Sequence, residues 1–519
     1  METTHLTQGI KRRYSGEQTG RSNSDSDENA ASVEGSASIG ASRACPQRTP
    51  RARLGSDGGA AVLSHSGHDP EDRGEDYFRN LYSTEPNFYH LGLKYSEFGA
   101  MLTDGVYLDF TNPAAVMQLT KTLLKEDFGL RINLPPDRLC PPVPNRHNYI
   151  LWLKDLLDST SPSYSEQYEP ERKVTGLDIG TGASLIYPLL GCAQRSTWYF
   201  VATDVDAESL SSARANARLN HLESRIRIVD RVPSEPLIPL NDLDIDSIDF
   251  VMVNPPFYVS DTELLDAAAQ KSRPPHSVCT GAPVEMVCEG GEVRFVQRMI
   301  DESLVLRERV QWYTAMLGKQ SSLEILIEAL KKHKINNLAV TTFIQGSKTR
   351  RWGLAWSFLT RRPSLSASRG LSPAAKNLMP PITAITIHKS APQVPTDPTP
   401  PLKGILCDTV ESLDLRLWSW DEQRLRGVGF SQRNVWSRAY RRERAGGDAV
   451  TKQEASVPPL DVSECAFGFS LSILPESPDK TNSGTAVLLR WLQGDDESLF
   501  ESFAGVIRRC LRRDATNSA

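Results

Sequence analysis

Asn254-Pro255-Pro256-Phe257 carries the plainest chemical content in this 519-residue chain. It closes the apolar run Phe250-Val251-Met252-Val253. That run reads as a buried parallel strand, and open α/β sheets place their chemistry just beyond the C-terminal ends of such strands. A planar amino group held at this polar-Pro-Pro-aromatic turn can donate one N–H to the Asn254 side-chain oxygen and the other to the Pro255 carbonyl. Phe257 would stack on the ring that carries the amine. The arrangement suits the exocyclic amine of a nucleobase. Taken alone, the four residues also fit a strand that prolines merely stop.

A second motif separates these readings. Val174-Thr-Gly-Leu-Asp178-Ile-Gly180-Thr-Gly182-Ala-Ser184 is a short apolar strand running into a glycine-rich turn, and Leu185 to Leu190 opens a helix. Gly180 and Gly182 let the backbone turn tightly and approach a ligand with no Cβ in the way. Asp178 is placed to orient the loop or to hold a ligand's amino group. The third glycine of the dinucleotide fingerprint is missing, which disfavours NAD. The next strand, Trp198 to Thr203, ends in Asp204, where an acid can grip ribose hydroxyls. In this order, glycine turn, acid and Asn-Pro-Pro-Phe point to S-adenosylmethionine and to methyl transfer onto an amine.

The elements that must position these residues follow a strand–helix rhythm. Strands are expected near 174–179, 198–203, 225–229, 249–253, 311–317, 337–344 and 351–358, with Asp206–Asn220 and Gly291–Arg307 the clearest helices between them. Gly346-Ser-Lys-Thr between the last two strands suits a hairpin. The fold class expected is α/β: a mostly parallel sheet ending in one antiparallel hairpin, within residues 161–361. Residues 1–72, poor in large apolar side chains, read as a disordered tail. Residues 73–160 read as a helical arm, with Asn112 capping a helix that opens on Pro113, and with Pro144 to Tyr149 leading into a helix over Ile150–Leu157. A long loop, 258–290, carries Lys271 and Arg273, and residues 362–402 read as a Pro/Ser-rich linker with a short strand at Ile382–Ile387.

Beyond the linker, residues 403–514 read as a smaller α+β domain with a disordered insertion near 445–462. Leu413, Leu415 and Leu417 alternate, as do Cys465, Phe467, Phe469, Leu471 and Ile473, while Leu499, Phe500, Phe503, Val506, Ile507, Cys510 and Leu511 trace a helical stripe. A net charge of −5 and a pI near 6.1 deny a globally basic nucleic-acid surface, so RNA contacts must come from local patches. Lys348, Arg350, Arg351, Arg361 and Arg362 form one such cluster, and Arg433, Arg438, Arg441, Arg442, Arg508, Arg509, Arg512 and Arg513 a second. The eight cysteines show no C-x-x-C pair, which argues for reduced intracellular thiols and against a zinc site. No metal and no membrane contact is expected.

Several segments together carry a family resemblance. Asp178 to Ser184, Asn254 to Phe257, Glu289-Gly-Gly-Glu292, Trp312-Tyr313 with Met316-Leu-Gly-Lys319, and Gln345-Gly346 through Arg351-Trp352 to Phe358 occur in one order. They resemble the methyltransferase-like protein 16 family, the U6 small nuclear RNA adenosine N6-methyltransferases, over about residues 75–360. The resemblance implies a Rossmann-like class I methyltransferase sheet, S-adenosylmethionine as cofactor, a structured U6-type RNA hairpin as partner, and an RNA-binding C-terminal module. It implies Asn254, Pro255, Pro256 and Phe257 as the catalytic turn. Arg146, Asp178, Gly180, Gly182, Ser184, Asp204 and Asn254 would bind the cofactor, and Arg273, Lys348, Arg350 and Arg351 the RNA. Arg146 would bind the methionine carboxylate or hold the pocket entrance; a salt bridge between arm and sheet is its other reading. Asp204 stands where animal members carry Glu, and Val232-Pro-Ser-Glu235-Pro236 stands where they carry a basic loop.

The alternatives are a ribosomal RNA adenine N6-methyltransferase, a non-catalytic RNA-binding scaffold that keeps the fold, and a methyltransferase for protein glutamine amides. The last would not need a basic second domain. A nuclear location is expected, with the cytoplasm as the alternative.

Overall fold

The computed structural model describes residues 73–257, 259, 281–345, 349–389, 399–446, 461–475 and 484–517. The expected N-terminal tail, Lys271, Arg273, Lys348 and residues 447–460 of the expected insertion lie outside them.

The arm comprises short helices α1 (Glu75–Asn80), α2 (Phe88–Lys94) and α3 (Ser96–Gly99), and the small strand pair β1 (Leu102–Thr103) and β2 (Tyr107–Leu108). Asn112 then caps α4 (Pro113–Phe128): its side chain accepts the Ala114 N–H, Pro113 fills the first turn, and Gly129 ends the helix in the left-handed region. The next helix, α5 (Val143–Ser159), starts well before the expected Ile150. Pro144 lies in its first turn, where a missing N–H leaves no bond unmade, so the proline opens this helix instead of preceding it. Three of the arm's basic residues are paired within the arm itself. Arg79 pairs with Asp155 at 2.8 Å and Lys94 with Glu126 at 2.7 Å, while Arg73 donates to the Glu126 carbonyl.

The main sheet is built from β3 (Val174–Ile179), α6 (Ile186–Gln194), β4 (Trp198–Asp204), α7 (Ala207–Leu219), β5 (Ile226–Asp230), β6 (Ile248–Val253), α8 (Pro283–Met286), α9 (Gly291–Leu306), β7 (Val310–Leu317), α10 (Gln320–Lys332), β8 (Asn337–Gln345), β9 (Thr349–Ser357), α11 (Leu365–Ser368) and β10 (Arg369–Gly370). Its eight strands lie in the order β10-β8-β9-β7-β6-β3-β4-β5. Strands β3 to β7 run parallel, and β9 is antiparallel to both β7 and β8. The expected hairpin is therefore present, though β10 adds a short parallel edge outside it. Helix α8 breaks the expected 258–290 loop.

Side chains alternate across this sheet. Phe250 and Met252 join the core shared with α4, α5 and α6, whereas Val251 and Val253 join the core under α9 and α10. Both faces of β6 are thus covered, which is why its sequence is apolar without interruption.

A second, antiparallel sheet follows: β11 (Ala384–Lys389), α12 (Thr399–Glu411), β12 (Leu417–Asp421), β13 (Arg426–Ser431), α13 (Arg438–Gly446), β14 (Phe467–Pro475), β15 (Thr485–Gln493) and α14 (Glu497–Asn517), with strand order β11-β15-β14-β13-β12. Phe500, Phe503 and Ile507 of α14 cover Phe467, Phe469 and Leu471 of β14. Two expectations change here. Residues 362–402 are no plain linker, because they hold α11, β10 and β11 and the start of α12. Leu413 and Leu415 precede the strand rather than forming it; they pack at the edge of this second core, following the end of α12.

The two sheets are tied by buried charge. Glu166, from the loop between α5 and β3, pairs with Arg490 of β15 and Arg426 of β13. Arg490 also donates to the Ser159 carbonyl at 2.8 Å. Arg362, expected among RNA-facing cations, is instead buried. It donates to the Gly494 carbonyl at 2.7 Å, pairs with Asp495 at 3.1 Å and lies over the Trp491 ring. Nothing in a run of adjacent arginines distinguishes an interior tie from a surface charge.

Candidate functional site

The ends of β3, β4 and β6 lie side by side: Asp178 is in register with Ala202 on one side and Met252 on the other. This brings the glycine turn, Asp204 and Asn254 to one edge. In the turn, Gly180 and Thr181 both donate their N–H to the Thr203 carbonyl at 2.9 Å, and Gly182 donates to Asp204 Oδ2 at 2.8 Å. Gly180 has φ +69° and Gly182 φ +65°, and nothing lies within 4 Å of where a Gly180 Cβ would stand. The backbone here is open to a ligand and folded in a way side chains resist. The second Asp204 oxygen accepts from Val205 and Asp206. Asp204 therefore shapes the turn first, and a carboxylate's lone pairs leave room for a further donor.

Asp178 is 1% exposed, and neither of its oxygens has a hydrogen-bond partner. Burial, joined by the Asp204 charge, pushes its pKa up to about 7; the Thr181 hydroxyl, itself without a partner, is near but makes no hydrogen bond to it, and the Arg146 charge acts in the opposite direction. Arg146, on α5, is also buried. Its guanidinium donates to the Tyr187 hydroxyl at 3.1 Å and meets Met316 Sδ at 3.5 Å. Among the described residues no carboxylate forms an ion pair with it, so the salt bridge between arm and sheet is not what holds it. Ser184 is buried just past the turn.

At the end of β6, Asn254 Oδ1 is buried with no partner. Phe257 is held between two neighbours. A Cβ at Gly318 would stand 2.9 Å from its ring, and the Arg351 guanidinium lies 5.1 Å from the ring centroid. Arg351, expected at phosphates, thus borders the site, whereas Arg350 is exposed beside it.

Two residues with no role assigned from the sequence complete the frame. Glu292, at the start of α9, is buried and accepts the N–H groups of Gly318 at 2.5 Å and Lys319 at 3.1 Å. It fixes the end of β7 against Phe257. Both segments stood in the sequence as separate motifs; their meeting is a property of the fold. Tyr149 bonds Thr314, which donates to the Val251 carbonyl, steadying β6 from below. The 232–236 turn is pinned by its own acid, because Glu235 accepts from Val232 N and Arg231.

The edge therefore offers a buried acid and a buried cation, both without counter-charges in hydrogen-bond contact, next to an unpartnered amide oxygen and a ring. Unmet buried polar groups cost free energy, and ligands that between them carry an ammonium, a carboxylate and a planar amine would satisfy them. Among the described residues no His/Cys/Asp/Glu group is arranged to hold a metal, and no helix is long and apolar enough to cross a membrane.

Comparison with known proteins bears on the same segment. A family profile described as RNA methyltransferase matches residues 75–360. The zebrafish (Danio rerio) RNA N(6)-adenosine-methyltransferase mettl16 is 36% identical over 472 residues, spanning 84% of this chain and 97% of the relative. The Schizosaccharomyces pombe U6 small nuclear RNA (adenine-(43)-N(6))-methyltransferase is 34% identical over 410 residues, 78% of this chain and 95% of its own length. Among solved structures, the hMettl16 catalytic domain in complex with MAT2A 3′UTR hairpin 1 matches 54% of this chain and 94% of its own, at 41% identity and a TM-score of 0.48.

Proposed function

Since the chain belongs to the methyltransferase-like protein 16 family of RNA methyltransferases, we propose that it uses S-adenosylmethionine to form N6-methyladenosine in a structured RNA of the U6 small nuclear RNA type. The observation that carries this reading is the unpartnered Asn254 oxygen, on the same turn as Phe257, at the end of the strand next to an open glycine turn.

The residues fit the cofactor. Asp178 would take its ammonium group, Arg146 its carboxylate, and Asp204 its ribose, with Gly180, Gly182 and Ser184 lining the path. When bound, S-adenosylmethionine supplies an electrophilic methyl group on a sulfonium, an excellent leaving group. The protein's task is then orientation, which is worth roughly 7–11 kcal/mol of barrier when reactants are well aligned. Asn254 Oδ1 and the Pro255 carbonyl would accept hydrogen bonds from the two N–H groups of the target adenine's amine, Pro256 keeps the turn rigid, and the amine's lone pair is left facing the methyl group; the methylated nitrogen then gives up one proton to water. Extruding the adenosine from its stack costs roughly a few kcal/mol. Stacking on Phe257 offsets part of that, at roughly 1–3 kcal/mol per base. Arg350 and Arg351, with Arg273 and Lys348 outside the described residues, are assigned to the RNA. Exposed Arg438, Arg441 and Arg442 on α13 and Arg508, Arg509 and Arg512 on α14 support an RNA-binding role for the second sheet. A U6-type substrate is met in the nucleus, and we assign the protein there on that ground.

The test is methyl transfer from labelled S-adenosylmethionine to a U6-like hairpin, read by nucleoside mass spectrometry. N6-methyladenosine is the expected product. Tight binding of both ligands with no methylated nucleoside would instead favour the scaffold.

Asp178 adds a pH signature. Its folded pKa is raised, so the ligand-free chain loses stability as pH climbs from roughly 4, the unfolded value, to about 7. An ammonium ligand needs the ionised form, so calorimetric affinity for S-adenosylhomocysteine should rise roughly tenfold between about pH 6 and 8. Asp178→Asn should flatten the profile. A wild-type affinity indifferent to pH would take Asp178 out of the site.

A further inference from the structure

Glu285, on α8, stands against the glycine turn without any part in the chemistry above. Its Oε2 accepts the N–H groups of Leu139 at 2.9 Å and Ala282 at 2.8 Å. Its Oε1 faces the other way, 3.6 Å from where a Gly182 Cβ would stand. The same glycine's N–H is held at 2.8 Å by Asp204. Two carboxylates therefore flank one glycine. Burial raises the Glu285 pKa and the Asp204 charge adds to that, while the two backbone N–H groups and Arg138 hold it back. Like charges converging in a half-buried site are costly unless donors come between them. A third carboxylate, the buried and unpartnered Asp178, lies close enough to Asp204 to feel its charge, so the turn is suited to a donor-rich ligand.

We propose that Glu285 is a cofactor-binding residue which, with Asp204, forms a two-carboxylate clamp on the vicinal hydroxyls of the cofactor's ribose. A vicinal diol presents two O–H donors, and the clamp presents one acceptor from each side of Gly182. The clamp rests on the reading that this pocket takes S-adenosylmethionine. Because Oε2 is anchored to Leu139, just ahead of α5, the clamp also ties the arm to the cofactor. The sequence gives no sign of it, because Glu285 lies more than a hundred positions from the glycine turn and outside every motif.

Calorimetry on the full chain tests this, with S-adenosylhomocysteine and its 2′-deoxy and 3′-deoxy ribose analogues as probes. Glu285→Gln keeps one oxygen for the Leu139 and Ala282 donors but turns an NH2 donor toward Gly182. Its affinity for S-adenosylhomocysteine should fall roughly ten- to hundredfold, as for loss of a hydrogen bond to a charged group. Wild type should lose a similar factor with each deoxy analogue, and Glu285→Gln should lose nothing further with one of them. Wild-type affinity in Glu285→Gln, or unchanged discrimination against both analogues, would overturn the clamp and leave the methyltransferase reading standing. No binding of S-adenosylhomocysteine by wild type would bring down both. Glu285→Ala removes the anchor too, and a lower melting temperature confined to that variant separates bracing from binding.

Discussion

Asn254→Ala is expected to cut methyl transfer at least about a hundredfold, the cost of deleting one preorganised polar group at a reacting centre, while leaving the protein as stable as before or slightly more so. The two halves of this prediction have one cause. Asn254 Oδ1 is buried and has no partner. A stranded acceptor of this kind costs roughly 1–3 kcal/mol, and alanine removes it without breaking any internal bond. Most losses of activity in a buried position come with losses of stability; here they should part. The measurements are single-turnover methylation of a saturating hairpin, hairpin affinity by anisotropy, and urea midpoints for both proteins. A variant that unfolds earlier as it loses activity would show Asn254 to be a structural strand cap, as the prolines alone had allowed. Retention of a tenth or more of the activity would likewise remove the amide from the reacting centre.

Glu166→Ala should carry the largest loss of stability, roughly 3–5 kcal/mol, because deleting one partner leaves buried charge uncompensated. Arg490 and Arg426 converge on this carboxylate, and Ser470 donates to it at 3.3 Å. Burial already pulls Arg490 down to about 9 and lowers Arg426. Tyr164 and Glu166 both sit at positive φ, 56° and 60°, a conformation that costs non-glycine residues roughly 1–2 kcal/mol each. A loop so strained keeps its shape only while its contacts over-determine it. Glu166→Gln, which keeps the shape and loses the charge, should fall between wild type and alanine in chemical denaturation. If alanine costs less than about 1 kcal/mol, as exposed pairs do, the charges are solvated and the two sheets are not joined through this residue.

The positions of strands β3 to β9 were legible because a doubly covered sheet writes itself as apolar runs between turns, and the glycine turn and Asn-Pro-Pro-Phe fall at the ends of such runs. The early start of α5 was not, because a proline inside a helix's first turn looks the same as one that precedes it. The same ambiguity hid α12, whose first turn holds Pro400 and Pro401. Single residues that act at a distance were least legible. Glu292 reaches Gly318 and Lys319 from another element, and Arg362 is taken inside by Trp491 and Asp495. Charge patterning in one dimension ranks such groups as solvated, since most charges are.

The stitching of Ser159 and Glu166 to Arg490 also bears on synthesis. The Arg490 side chain reaches the Ser159 carbonyl across 331 positions of chain. At roughly 5–20 residues per second, a ribosome takes on the order of tens of seconds to cover that span. The methyltransferase sheet can thus close on its own cores while its α5–β3 loop waits, carboxylate solvated, for a partner strand that does not yet exist. Completion of the molecule is therefore a late, long-range docking event, and a chain halted before β15 would emerge with its catalytic edge formed and its far seam open.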